Sequence, residues 1–182
     1  YCGIFGFKPT FGSIARTGVL KTCDQLDHIT LMANSIDDIR TIFDVVRVKG
    51  KNYPLISKFI ENDQNYFDNI KKAKVAFIKT HTWKFASQHV KNSITNYISD
   101  LQKKGINVRE VELPDAFSEA HEIQDVVFSK SVSYYFNDEY KNKKNSLQEK
   151  TLERIEKGKS ISMNEFLKNI DKQDFLENEL SN

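Results

Sequence analysis

Tyr1-Cys2-Gly3-Ile4-Phe5-Gly6-Phe7-Lys8-Pro9-Thr10-Phe11-Gly12 decides how the rest of this chain is read. Three glycines and a proline interrupt a segment that is otherwise mostly apolar. Glycines at that density serve backbone conformations closed to other residues, or the close approach of two chains. Pro9 fixes its own φ, lacks an N–H and biases Lys8 towards an extended backbone. The segment therefore reads as a short buried helix or turn running into an irregular, tightly packed loop, with Cys2 as a small buried thiol. It has no initiating methionine and no lead-in, so Tyr1 reads as a start inside a longer protein.

Working outward, residues 13–29 read as loop, with Gly18 and mixed polar side chains. Ser35-Ile36-Asp37-Asp38 is a helix start: Ser35 caps the free N–H groups and Asp38 bonds back. Ile36, Ile39, Ile42, Phe43 and Val46 recur at helical spacing, predicting an apolar stripe that packs on a sheet. From 47 to 72 the signal weakens into a turn-rich connection at 49–54 and an amphipathic piece with Tyr66, Phe67 and Ile70, together a peripheral crossover. Lys74-Val75-Ala76-Phe77-Ile78 predicts a buried strand. Val90, Ile94, Tyr97, Ile98 and Leu101 predict a helix that stops at Gly105, with Lys103 and Lys104 in its last turn. Residues 106–112 predict a second strand, ended by Pro114. Strand, helix, strand is a βαβ unit with parallel strands and a right-handed crossover.

The remainder reads as helical. Residues 117–135 carry Ile123, Val127 and Tyr134 on one face. Residues 141–144 read as a solvated turn. Ser146-Leu147-Gln148-Glu149 and Ser162-Met163-Asn164-Glu165 both read as capping boxes, the first opening a helix that Gly158 ends. No element closes the chain at Asn182.

Composition bounds the function. A chain of 182 residues, 39% hydrophobic and 29% charged, suits one soluble globular domain or part of a larger one. A net charge of +2 argues for neither nucleic acid nor an anionic membrane. No apolar run approaches the roughly 20 residues that span a bilayer. Two cysteines far apart make no disulfide framework, and a reducing, cytoplasmic setting is the default.

The run Cys2-Gly3-Ile4-Phe5-Gly6-Phe7-Lys8-Pro9-Thr10-Phe11-Gly12, then Ala15-Arg16-Thr17-Gly18-Val19, Leu26-Asp27 and Met32-Ala33 with Ser35, resembles the amidase signature family. The resemblance is specific over residues 1–46 and is one of element order from 47 to 182. It implies an α/β fold, a fragment of a mixed central sheet covered by helices, with the parallel βαβ unit and a helical C-terminal part. On this reading residues 1–182 are a partial amidase domain, truncated at both ends. Family members hydrolyse or transfer carboxamide nitrogen with a Ser–cis-Ser–Lys triad. The nucleophile would lie about seven residues before Tyr1, with the other two further upstream, so no catalytic residue falls inside this chain.

The resemblance implies a small-molecule amide substrate, no metal or other cofactor, no direct nucleic-acid contact and no membrane. A homodimer and amidotransferase partner subunits are both open as assemblies. It aligns Thr22 with a substrate-pocket position where an aromatic often sits. It makes Arg16 and Asp27 scaffold residues of the loop. Gly12-Ser13 stands where family members carry Gly-Arg. Thr30-Leu31-Met32-Ala33-Asn34 stands where they carry Gly-Pro-Met-Ala-Arg. The missing Gly-Pro counts against the tRNA-dependent amidotransferase branch, and the two missing arginines suit a non-catalytic scaffold.

Other motifs give way to bland readings. Gly3, Gly6, Lys8 and Thr10 lack the Gly-Lys-Ser/Thr order of a phosphate loop, and Pro9 removes a needed donor. Lys8 is not the family's catalytic lysine. Cys2 with His28 makes a poor thiol–imidazole pair, because a buried cysteine in apolar surroundings is inert. His81, His89 and His121 lack metal-ligand spacing. Trp83 and Phe85 cap a sheet edge or line a pocket mouth.

Overall fold

The computed structural model describes residues 2–50 and 74–181. The amphipathic piece around Tyr66, Phe67 and Ile70, and all but the start of the turn-rich connection, lie outside the described residues. The chain divides into two compact units, one built from residues 1–63 and 124–171, the other from 64–123 and 172–182.

The first unit opens with strand β1 (Phe5–Phe7) paired antiparallel to β2 (Leu31–Ala33), Phe5 opposite Ala33 and Phe7 opposite Leu31. This corrects the expected helix or turn. Phe5 and Phe7 alternate with Gly6, a period of two that the glycine density masked. Cys2 is exposed, not buried. Helix α1 (Ile36–Val46) follows, its start fixed by the Ser35 hydroxyl, which accepts from the Asp38 N–H at 3.1 Å. The helix packs on the β1–β2 pair, burying Ile39 and setting the rings of Phe7 and Phe43 edge-on, 5.3 Å apart. Ile36, Ile42 and Val46 of the predicted stripe are exposed.

Later elements of this unit are helical. They are residues 124–135 of α3 (Ala120–Tyr135), α4 (Asn137–Asn142), α5 (Glu149–Ser160) and the start of α6 (Met163–Ser181). Val127 and Ile155 are fully buried, whereas Tyr134, expected on the inner face, is exposed. Lys141 and Asn142 lie in α4 rather than in a turn, and Lys144 pairs with Glu156 at 3.3 Å. The two capping boxes part company. The Ser162 hydroxyl accepts from the Glu165 N–H at 3.1 Å, as expected. Ser146 is instead spent in a 3₁₀ turn over Lys144–Ser146, and Gln148 caps α5 without a side-chain bond. Gly158 is no stop: it sits inside α5 and is buried against Ser129 and Ser133. Its lack of a side chain is needed for helix approach, which a sequence presents identically to a C-cap.

The second unit is the βαβ expected. Strand β3 (Lys74–Ile78) pairs in parallel with β4 (Asn107–Val111), Val75 opposite Val108 and Phe77 opposite Glu110. Between them runs α2 (Gln88–Lys103), capped by the Ser87 hydroxyl, which accepts from Val90 N–H. Gly105 ends it at φ +83°, where the Gly105 N–H meets the Gln102 carbonyl (2.9 Å) and the Ile106 N–H meets that of Leu101 (3.1 Å). This paired closure is a Schellman motif, which needs a left-handed residue. Two strands cover little, so β3 is half-buried rather than buried, and Val90, Ile94 and Tyr97 of α2 are exposed. Phe117, Ile123 and Leu176 form the unit's buried cluster, with Leu113, Ala116 and Ala120 against it. Trp83 meets Phe77 edge-on at 5.5 Å, and Phe85 is exposed beside Lys84. Among the described residues no helix is long and apolar enough to cross a membrane.

Candidate functional site

The site builds up from the loop between β1 and β2, in the first unit. Two backbone contacts tie its start to the end of α1: the Val48 N–H donates to the Ser13 carbonyl (2.9 Å), and Ile14 bridges Arg47. Further along, Asp27 turns inward. It accepts from the Thr22 N–H (2.8 Å), the Thr22 hydroxyl (2.5 Å) and the Cys23 N–H (3.0 Å), with Arg16 Nη1 at 3.7 Å. Arg16 also donates through Nη2 to the Asp24 carbonyl at 3.0 Å and lies over the Phe11 ring. Burial pushes the Asp27 carboxyl up, but these donors and Arg16 outweigh it and hold the group below the usual carboxylate range. The loop thus closes on a charged pin, with Cys23 fully buried beneath it. The scaffold role expected of Arg16 and Asp27 has this physical form.

Asp24 turns the other way. It accepts a hydrogen bond from the Tyr135 hydroxyl, and Lys21 approaches it at 3.5 Å. The Tyr135 hydrogen bond, ahead of the two cations, lowers the Asp24 carboxyl, while the same bond pushes the Tyr135 phenol up to about 12. Beside this pair lies a cavity of 530 Å³. It is lined by Lys130, Ser131, Ser133, Tyr134 and Tyr135 of α3, by Asp24 and Gln25 from the loop, and by Asn137, Lys159, Met163 and Phe166. Apolar and aromatic walls with a few convergent polar groups are the usual make-up of a small-molecule pocket, and the volume is of the usual size. The Lys130 ammonium is fixed on the Ile161 carbonyl at 2.5 Å, and the Ser133 hydroxyl on the Lys130 carbonyl at 2.7 Å.

Thr22 is half-buried with its hydroxyl committed to Asp27, while its neighbours Asp24 and Gln25 line the cavity. The His28 ring packs against Phe11 at 5.2 Å. Burial first, then Lys8 and Arg16, push its imidazole down, so it is neutral at pH 7. Lys8 donates to the Pro9 carbonyl. Among the described residues of this loop and cavity no serine or cysteine is hydrogen-bonded to a histidine, lysine or carboxylate side chain, so they contain no activated nucleophile of the usual kind. Tyr135, Lys130, Ser131 and Asn137 escaped the sequence reading. For the three in α3 the one signal was polar and aromatic residues interleaved through a helix whose Ile123 and Val127 are core, and Asn137, at the start of α4, gave none.

A family model described as Amidase matches residues 1–179. The chain is 29% identical over 122 residues to a glutamyl-tRNA(Gln) amidotransferase subunit of Fusobacterium nucleatum, covering 63% of this chain and 24% of that one. It is 30% identical over 119 residues to the same-named protein of Macrococcus caseolyticus, covering 64% and 24%. The chain thus spans about a quarter of the length of these curated relatives. Among solved structures, an amidase superposes with a TM-score of 0.74 at 16% identity, over 98% of this chain and 38% of that one. A 6-aminohexanoate cyclic dimer hydrolase superposes with a TM-score of 0.65 at 15% identity, over 98% and 40%. These superpositions concern the fold.

Proposed function

The chain belongs to the amidase family, and from that premise we propose that it forms part of a serine amidase cleaving the C–N bond of linear carboxamides. The nucleophile and its cis-serine and lysine partners are supplied by sequence preceding Tyr1. The serine oxygen attacks the amide carbonyl, and backbone N–H groups beside it hold the oxyanion. Ammonia or an amine leaves with a proton relayed through the triad, and water then releases the acyl group as a carboxylate. The 182-residue chain shapes the pocket and on its own releases no ammonia. The observation that carries this reading is the family match running along residues 1–179.

In this reading the 530 Å³ cavity receives the body of the amide. Thr22 acts on the pocket through the loop: its hydroxyl secures Asp27, and its neighbours Asp24 and Gln25 line the cavity. The setting is cytoplasmic. The test uses the full-length protein, a fluorophosphonate probe and an ammonia-release assay over small aliphatic and aryl amides. The expected result is one labelled serine outside residues 1–182, whose replacement by alanine abolishes both labelling and turnover. Labelling within residues 1–182, or a folded full-length protein with neither labelling nor turnover, overturns the reading. The second of these outcomes is that of a non-catalytic scaffold.

A second enzymatic reading is the amide-cleaving component of a tRNA-dependent amidotransferase, favoured by the name that the curated relatives carry. It predicts that ammonia release from glutamine rises when glutamyl-tRNA and co-purifying partner subunits are added. A plain amidase, acting alone or as a homodimer, shows no such rise.

A further inference from the structure

The second unit brings together two histidines that are distant in sequence. The imidazoles of His81 and His121 meet edge-on, with ring centroids 4.6 Å apart and planes at 81°. Both residues are exposed, and neither ring is hydrogen-bonded to another described residue. His81 sits just beyond the carboxyl end of β3, and His121 lies in the first turn of α3. The carboxyl ends of parallel strands are where open α/β sheets take ligands. A cleft of 270 Å³ lies there, lined by His81 together with Glu110, Glu112, Asp115 and Lys79. Lys79 is spent on Glu110 at 2.5 Å, so Glu112 and Asp115 leave the cleft with a negative field.

We propose that His81 and His121 form a two-imidazole site for a borderline divalent transition ion, of the Zn²⁺ or Cu²⁺ class. Nitrogens sharing one ion at about 2 Å place their ring centroids about 4.5 Å apart or more, and the observed pair lies at the near end of that range. Imidazole selects such ions over Mg²⁺ and Ca²⁺, which take oxygen ligands. Among the described residues no group of three His, Cys, Asp or Glu could hold an ion, so water completes the shell. In the sequence, His81, His89 and His121 lack metal-ligand spacing, and no carboxylate or cysteine sits in register with them. The fold pairs His81 with His121, and a pair made by tertiary structure leaves no spacing signature. A bound ion would tie the end of β3 to α3, stabilising the unit by mass action.

The test is calorimetric titration of ZnCl₂ into the full-length protein, with exposed thiols such as Cys2 alkylated beforehand. His81→Gln and His121→Gln are each expected to weaken one Zn²⁺ site by about tenfold or more, or to remove it. His89→Gln, on the exposed surface of α2, leaves it unchanged. With Cu²⁺, electron paramagnetic resonance is expected to show two coordinating nitrogens that fall to one in either variant. Glutamine keeps polarity and approximate size at these exposed positions, and circular dichroism verifies folding. Equal Zn²⁺ affinity and stoichiometry in the wild type and both variants overturns the proposal. So does a wild type that takes up no Zn²⁺ at millimolar concentration.

Discussion

Gly158→Ala should destabilise this protein, although the same change in an ordinary helix stabilises. Two contributions oppose each other. Alanine restores about 1 kcal/mol of helix propensity relative to glycine. Against that, a Cβ at position 158 would overlap the Ser129 carbonyl oxygen and lie 2.6 Å from the Ser129 carbonyl carbon and 2.7 Å from the Ser133 Cβ. The first obstacle is helix backbone, which cannot swing aside as the tip of a side chain can. Helices α3 and α5 must therefore move apart, and Val127 and Ile155, both fully buried, lose packing as they do. Overpacking of a core costs about 1–3 kcal/mol, and a backbone obstacle puts this site at the upper end. The net expectation is a loss of about 1–2 kcal/mol. Urea unfolding read at constant slope measures it as a lower midpoint. Lys150→Ala, exposed on the same helix, should stay within about 0.5 kcal/mol of the wild type. A Gly158→Ala protein as stable as the wild type, or more so, would refute the close approach.

Three further outcomes follow from single contacts. Tyrosine absorbance should show the Tyr135 phenol ionising at about 12, and Asp24→Asn should return it towards the ordinary range; an unchanged titration denies the pairing. Asp125 is held below the usual carboxylate range by its hydrogen bond to Lys157, with Arg154 adding to it. Its folded value lies below its unfolded one, so its contribution is present above the ordinary range and lost as pH falls through the depressed value. The stability gap between wild type and Asp125→Asn should accordingly shrink on acidification, and a constant gap would count against the ion pair. Ser162→Ala should cost about 1 kcal/mol as a lost helix cap, whereas Ser146→Ala should stay within about 0.5 kcal/mol, because only Ser162 accepts from a helix N–H.

That last contrast bears on what a sequence can carry. Ser146 and Ser162 present the same local pattern, yet one caps a helix and the other sits in a 3₁₀ turn. Capping boxes are local signals, and the turn before α5 was decided by where the backbone bonds of Ser146 and Leu147 went. The order of the βαβ unit was legible because two of its boundaries had a local cause, Gly105 at the end of α2 and Pro114 after β4, while the Ser87 cap that starts α2 was not read from the sequence. β1 was missed for a related reason. Its three residues pair with β2 across a long loop, and a strand that short leaves almost no period to read. Cys2 and Tyr134 were placed inside on composition and helical phase. Both face outward, because neither property says where a neighbouring element ends.

The candidate site was the least legible part, and Asp24 and Asp27 show why. They sit three positions apart in one loop and are the same residue type, yet their environments differ in kind. Asp27 gathers two backbone N–H groups, a hydroxyl and a guanidinium, so its charge is used up holding the loop closed. Asp24 has a phenol from a helix far along the chain and lines the cavity. Only Asp27 matched a known sequence pattern, because a loop pin depends on nearby residues that travel with it. The place of Asp24 in the cavity lining depends on Tyr135, whose partnership with it exists only after α3 is docked on the loop. A loop pin built from nearby residues is therefore readable in the sequence, whereas a cavity lining built by tertiary contacts is not.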